Sequence, residues 1–358
     1  MVKYQYLEQG EVTIMAISFK GAKNYKKHNG LDAGRGIKTP IPSEMHYYSL
    51  LQNDLTLLPK VEEGERVISG QKIADIDEFD AIPVLSSISG RVLSVSKSQI
   101  AIENDMMFVP SPVIRPAKTA DELTTREILW LLREGCVFEP RENAPLHVLL
   151  ASKRVSDCII VCCFDSDPYV SSPQAAAMNN CEIILEALKV AMRISGITKA
   201  FIAVENDTKG TFADFKRALR YNPDIEPVIL KARYPQSDSE ILIKTVTGSE
   251  NTNALILSPE TLCNMHRVLT TGAPVLGKIV TVSGDEILEP ENFYTPVGAT
   301  CKSVIESGGY SECELVIDGG VIDGDVITVP TQSVTYGTKA FVAFHKKKNV
   351  PKYRKKLL

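Results

Sequence analysis

The chain has 358 residues, 44% apolar and 23% charged, enough for two or three domains with ample cores. Its formal net charge of −4 gives no reason to expect nucleic acid, and no apolar stretch approaches the ~18 residues of a spanning helix. Eight cysteines, at 136, 158, 162, 163, 181, 263, 301 and 313, form no Cys-x-x-Cys pair, so neither a zinc ribbon nor a ferredoxin cluster is written here.

Scattered cysteines and an N-terminus without a signal-peptide pattern place the chain in a reducing cytoplasm. Residues 1–115 are rich in short alternating segments and turn residues, which predicts a β domain. Gly64 and Gly70 punctuate one strand-turn-strand and Gly90 opens another hairpin. From residue 116 the pattern changes to α/β: a helix over 121–134, strands at 148–150 and 157–161, and a long helix over 174–194. A strand at 200–204, a helix near 212–220, a strand at 226–230 and a helix at 259–271 follow. This alternation to residue 272 predicts a Rossmann-like parallel sheet with helices on both faces. Residues 273–345 read as a small domain of short strands and turns, and 346–358 as a basic tail with seven Lys or Arg. Such a tail is most often solvated; docking to an acidic partner or a membrane surface is the less common use.

The stretch Val161-Cys162-Cys163-Phe164-Asp165-Ser166-Asp167-Pro168-Tyr169 is the most informative. It ends an apolar run, and the carboxyl end of a strand is where ligands collect in an open α/β sheet. Cys162 and Cys163 read either as core filling or as a redox pair, since adjacent cysteines close only a strained, easily reduced ring. Asp165 and Asp167 suit ribose hydroxyls or a substrate amine, or the ordinary capping of a following helix. Glu205, Asn206 and Asp207 follow another strand and face the same edge, or form a solvated turn. His147 and His266 lack a partner at metal-ligand spacing, so no metal site is expected.

Several segments together resemble the RnfC family, the C-type component of the Rnf electron-transport complex, and its relatives. Those relatives include a component of the quinone-linked sodium pump, cobalamin reductase and the electron-transfer protein of the proline reductase system. The matching stretches are Ser86-Ser-Ile-Ser-Gly-Arg-Val92, Ile102-Glu-Asn-Asp105, Val204-Glu-Asn-Asp207, Tyr234-Pro-Gln236 and Pro259-Glu-Thr-Leu262. Val280-Thr-Val-Ser-Gly-Asp285, Pro296-Val-Gly298, Ser307-Gly-Gly309 and Gly319-Gly320 continue the match. The resemblance implies a barrel-sandwich hybrid domain, a Rossmann-like domain and a soluble-ligand-binding β-grasp domain. The carrier lysine of biotinyl and lipoyl domains is missing from the tip Asp77–Ala81, which argues against a swinging arm.

Three departures from the family follow. Where flavin-binding relatives carry a glycine-rich phosphate loop, this chain has Phe138-Glu-Pro-Arg-Glu-Asn-Ala144. Pro140 lacks a donor, Glu139 and Glu142 repel phosphate, and Arg141 offers one cation from another direction. The loop argues against FMN or NADH held in the family manner. Paired ferredoxin motifs are absent, so no iron–sulfur cluster is expected. The family's acidic-cysteine-acidic turn has Ser166 in its middle, with Cys162 and Cys163 upstream. The expected function is an electron-transfer protein serving a cytoplasmic reductase partner, such as a proline reductase, through the thiols Cys162 or Cys163. Two alternatives stand beside it: a non-enzymatic scaffold or docking subunit, and an NADH-dependent flavoprotein.

Overall fold

A computed structural model describes residues 4–6, 12–14, 16–19, 23–24, 31–113, 115–152, 156–206, 208–310, 313–329, 332–346 and 349. Most of the basic tail therefore lies outside the described residues. Within 45–104, two antiparallel sheets enclose one apolar core. Met45–Ser49, Gln99–Asn104, Gly90–Val95 and Arg66–Val67 lie side by side in one; Val84–Leu85, Lys72–Asp75 and Leu58–Pro59 make the other. Leu50, Ile73, Val92, Ile100 and Ile102 are fully buried between them. The tip at Asp77–Ala81 is pinned rather than swinging. Arg133 Nη2 donates to Asp75 Oδ1 at 2.9 Å and to the Ile76 carbonyl at 2.7 Å, and His147 Nε2 donates to the Phe79 carbonyl at 2.6 Å.

The α/β part opens with helix α1 (Thr125–Glu134), whose Thr124 and Glu127 form a reciprocal capping box. The expected strand at 148–150 is instead helix α2 (Leu146–Ala151). Leu146, His147 and Leu150 are buried, the i, i+4 face of a helix; an apolar run this short carries no period of its own. Four parallel strands follow: β1 (Cys158–Cys162), β2 (Ala200–Glu205), β3 (Ile225–Leu230) and β4 (Ala254–Leu257). Their spatial order is 3-2-1-4. The single long helix expected over 174–194 is two, α3 (Ser172–Ala177) and α4 (Cys181–Ser195). Asn179 between them has φ +62°, a left-handed residue that ends the first helix. Helices α5 (Lys209–Ala218), α6 (Ser239–Thr247) and α7 (Pro259–Thr271) complete the crossovers and lead out of the sheet. Ile159, Val161 and Cys163 pack with α4 and α7 on one face; Cys158, Ile160 and Cys162 pack with α6 residues on the other. That two-sided burial explains why β1 is apolar throughout.

A mixed six-stranded sheet closes the molecule. β5 (Gly277–Gly284) pairs with β6 (Glu291–Pro296) and with β8 (Ala340–Phe344), and β7 (Leu315–Asp318) lies against β8. Ile37–Lys38 adds an edge strand beside β6, and Ile17 bridges Leu230 at the edge of the parallel sheet. The N-terminal segment thus stitches itself to sheets far away in sequence. Among the described residues no helix is long and apolar enough to cross a membrane.

At Gly90 the paired strands of the first region leave no room for a side chain: a Cβ there would stand 1.9 Å from the Glu103 carbonyl oxygen. Gly90→Ala is expected to cost roughly 1–3 kcal/mol in urea unfolding, through forced separation of the paired strands. An unchanged midpoint and slope would show that the hairpin yields without cost.

Candidate functional site

The strand order 3-2-1-4 reverses between β1 and β4, and such a switch point leaves a crevice at the carboxyl ends of the strands. A cavity of about 600 Å³ lies there. Its walls come from the hairpin at Pro140 and Arg141, the turn after β1, the loop 234–239 and the start of α7. The last sheet closes it with 318–325 and 335–339.

The hairpin is anchored by a buried charge. Glu139 Oε2 accepts from the Ser258 backbone N–H at 2.7 Å and Oε1 from the Arg141 N–H at 2.9 Å, while burial pushes its carboxyl up. Instead of facing a ligand phosphate, this carboxylate ties the loop to the first residues of α7. Arg141 is held from its other end as well, since Nη2 donates to the Ser237 carbonyl. Its buried Nε has no partner among the described residues.

The turn after β1 is cross-linked to the last sheet. Asp165 Oδ1 accepts from the Asp167 N–H at 2.8 Å, and Oδ2 meets Lys339 Nζ at 3.2 Å. Asp167 accepts from the N–H groups of Tyr169 at 2.9 Å and Ile322 at 2.8 Å. Burial, reinforced by Asp165, raises its pKa to about 6. Gly320 allows this packing, because a Cβ there would lie 2.5 Å from Asp167 Oδ2. Burial works against the Lys339 ammonium, but Asp165 and Asp323 outweigh it and hold it above a free lysine. Lys278 is similarly paired with Glu260 at 3.0 Å. Asp318, also in the cavity wall, is raised by burial to about 6.

Cys162 lines the cavity; Cys163 does not. Successive strand residues point to opposite faces, so Cys163 enters the core among Ile159, Leu188 and Leu262. Both thiols are free. Burial pushes the Cys162 thiol up against the pull of Arg141, and it pushes Cys163 well above the ordinary range. Glu205 is fully buried at the end of β2 and accepts from Gln174 Nε2 at 3.4 Å, outside the cavity lining. Asp207 lies outside the described residues. His147 holds the tip loop, and His266 Nε2 is 2.9 Å from Glu186 Oε2 on the surface. Sequence reasoning missed Lys339 and Ser237, which reach the turn after β1 from 174 and 71 positions away. Neither residue has a local signal; only the order of strand ends could have hinted at them.

Residues 20–117 match the RnfC barrel-sandwich hybrid domain, and residues 142–272 match the Nuo51 FMN-binding domain. The chain is 27% identical to the C component of the Na⁺-translocating ferredoxin:NAD⁺ oxidoreductase complex of Acetobacterium woodii, over 92% of this chain and 80% of that one. It is also 27% identical to the proton-translocating counterpart of Clostridium ljungdahlii, over 87% of this chain and 73% of that one. The chain is RnfC-like. Its fold is similar to that of a chain of an NAD⁺-reducing [NiFe]-hydrogenase solved in the air-oxidized state, with a TM-score of 0.52 at 14% identity. That likeness covers 64% of this chain and 47% of the hydrogenase chain, so this chain spans about half of it.

The expectation that FMN and NADH are not held in the family manner is therefore corrected, because the RnfC-like chain matches the FMN-binding domain directly. Absent glycines do not close the site. A cavity of about 600 Å³ is of cofactor size, and the Nε of Arg141 is a buried donor with capacity left for an anionic group. Tyr234, Pro235 and Pro140 supply apolar wall for a ring. The residues present fit a flavin-type group.

Asp167 gives the site a pH signature. With a folded pKa of about 6 against an ordinary 3.8, its contribution to stability is complete below about 4 and lost as pH rises through 6. The stability of the native protein relative to Asp167→Asn should fall by roughly 2–3 kcal/mol across that window. Chemical denaturation at pH 4, 5, 6 and 7 measures it; a difference that does not change with pH would remove the buried-carboxylate account.

Proposed function

We propose that this RnfC-like chain is an electron-transfer subunit whose working site is the cavity at the β1/β4 switch point. The observation that carries the reading is Arg141: a half-buried side chain, held at its backbone N–H by Glu139 and at its Nη2 by the Ser237 carbonyl, with a buried, unpartnered Nε beside a cofactor-sized cavity. An isoalloxazine bound there would supply one- and two-electron chemistry. The chain's own part is to bind and orient. Arg141 would hold the anionic end and Tyr234 and Pro235 would offer wall to the ring, while Asp165 and Asp167 hold the floor in place through Lys339 and Ile322. The Acetobacterium and Clostridium relatives are components of multi-protein redox complexes, which supports a protein partner. Eight free thiols fit a cytoplasmic setting.

A thiol step in this site would run through Cys162, which borders the cavity, and not through Cys163, which faces away. Because burial raises the Cys162 thiol, its alkylation by iodoacetamide should be slow at neutral pH and accelerate steadily with pH, with Cys163 silent until unfolding. Mass mapping of the labelled protein decides this; a Cys162 that stays unlabelled at high pH ends the thiol reading.

The central test is a titration of FMN followed by its fluorescence. Binding is expected in the native protein and should weaken by about 30-fold in Arg141→Ala, with partial recovery in Arg141→Lys. No binding to the native protein, or an affinity indifferent to Arg141, would refute the assignment.

A further inference from the structure

A second cavity, of about 290 Å³, lies where the first sheets, the 138–145 hairpin and the last sheet meet. It stands back to back with the first cavity. Pro140 and Arg141 of the hairpin face one side, while Phe138 and Asn143 face the other, and Thr335 and Gly337 border both. The chemistry of the two differs. Four aromatic residues, Tyr47, Tyr48, Phe138 and Tyr336, dominate the second, and the Phe138 and Tyr336 rings lie 6.2 Å apart at a 30° tilt.

Several polar groups of this lining are already engaged. The Tyr336 hydroxyl donates to the Val275 carbonyl at 2.9 Å, and the Tyr48 hydroxyl accepts from the Ser87 N–H at 2.9 Å. Gln52 uses its amide on both backbone groups of Ile82, at 2.8 and 3.1 Å. What remains for an occupant is ring face, aliphatic surface and the neutral polar groups of Tyr47, Asn53 and Asn143, with Asp80 the sole charged lining residue among those described, and itself exposed. An anionic occupant would lose hydration with no cation in the wall to pair it, and a cationic one would find only the exposed Asp80. Aromatic walls favour offset or edge contacts with another ring. The volume sits just below the ~300–1,000 Å³ span of small-molecule pockets, which suits one or two fused rings and not a dinucleotide.

We infer that this second cavity is a binding site for an uncharged, planar one- or two-ring compound, separate from the site that Arg141 serves. The inference stands apart from the flavin reading, since neither its lining nor its test involves Arg141 as a binding group.

The test uses 2-naphthol as the neutral probe and naphthalene-2-sulfonate as its charged counterpart, with binding followed by probe fluorescence on the full chain. The native protein should take up one 2-naphthol and bind the sulfonate at least about tenfold more weakly. Leu51→Trp, which fills the mouth from a half-exposed position, should weaken 2-naphthol by about tenfold or more. Ser49→Trp, on an exposed lining position, is the second blocking variant, and thermal melts establish that each is folded. Arg141→Ala should leave 2-naphthol binding unchanged. Absence of binding, equal binding of the sulfonate, insensitivity to both blocking variants, or loss in Arg141→Ala would each overturn the proposal.

Discussion

The cavity exists because one turn is clamped to the last sheet by two carboxylates. Asp165 takes the Lys339 ammonium at 3.2 Å and Asp167 takes the Ile322 N–H at 2.8 Å, so the sheet edge left open by the strand order gains a floor and a wall. The pair attraction is about 5 kcal/mol at that separation with an effective dielectric near 20, before any cost of removing the ions from water. Desolvation cancels much of this in buried pairs, so the clamp fixes geometry more than it adds stability. Removing one partner is a different matter, because it strands a buried charge.

The same balance governs the thiols. Arg141 favours a thiolate at Cys162, whereas burial, Asp165 and Glu205 oppose it, and the opposition wins. Several of the carboxylates around the cavity are committed to protein groups: Asp167 to two backbone N–H groups, Glu260 to Lys278, Asp165 to Lys339. Formal charge in the lining is therefore a poor guide to what the space accepts. The donors with capacity left over decide it.

Much of this is legible in the chain. The apolar run of β1, the strand–helix alternation after residue 156, the β character of the first region and the position of Cys162 at a strand end all follow from pattern and period. Three things are not. The run 146–151 is too short to carry a period, so from sequence its helix is indistinguishable from a strand. The break at Asn179 depends on one left-handed residue that tertiary packing selects. Lys339 and Ser237 reach the site from distant segments, and no local spacing announces them. The acidic turn is legible as chemistry but ambiguous in role, because an Asx turn and a ligand carboxylate use the same residues.

The glycine-poor loop shows how a correct local observation leads to a wrong conclusion. Pro140 and the two glutamates do remove a backbone phosphate cradle. Yet a buried carboxylate such as Glu139 persists only when its oxygens are satisfied, and here the Ser258 and Arg141 N–H groups do so. That anchoring fixes the Arg141 backbone, and the Ser237 carbonyl fixes the far end of its guanidinium. A side chain held at both ends has little rotamer freedom left to lose on meeting a ligand. Under the proposed function, anion recognition would rest on one preorganised guanidinium in place of a ring of backbone amides, and Glu139, expected to repel the ligand, is what positions the Arg141 backbone.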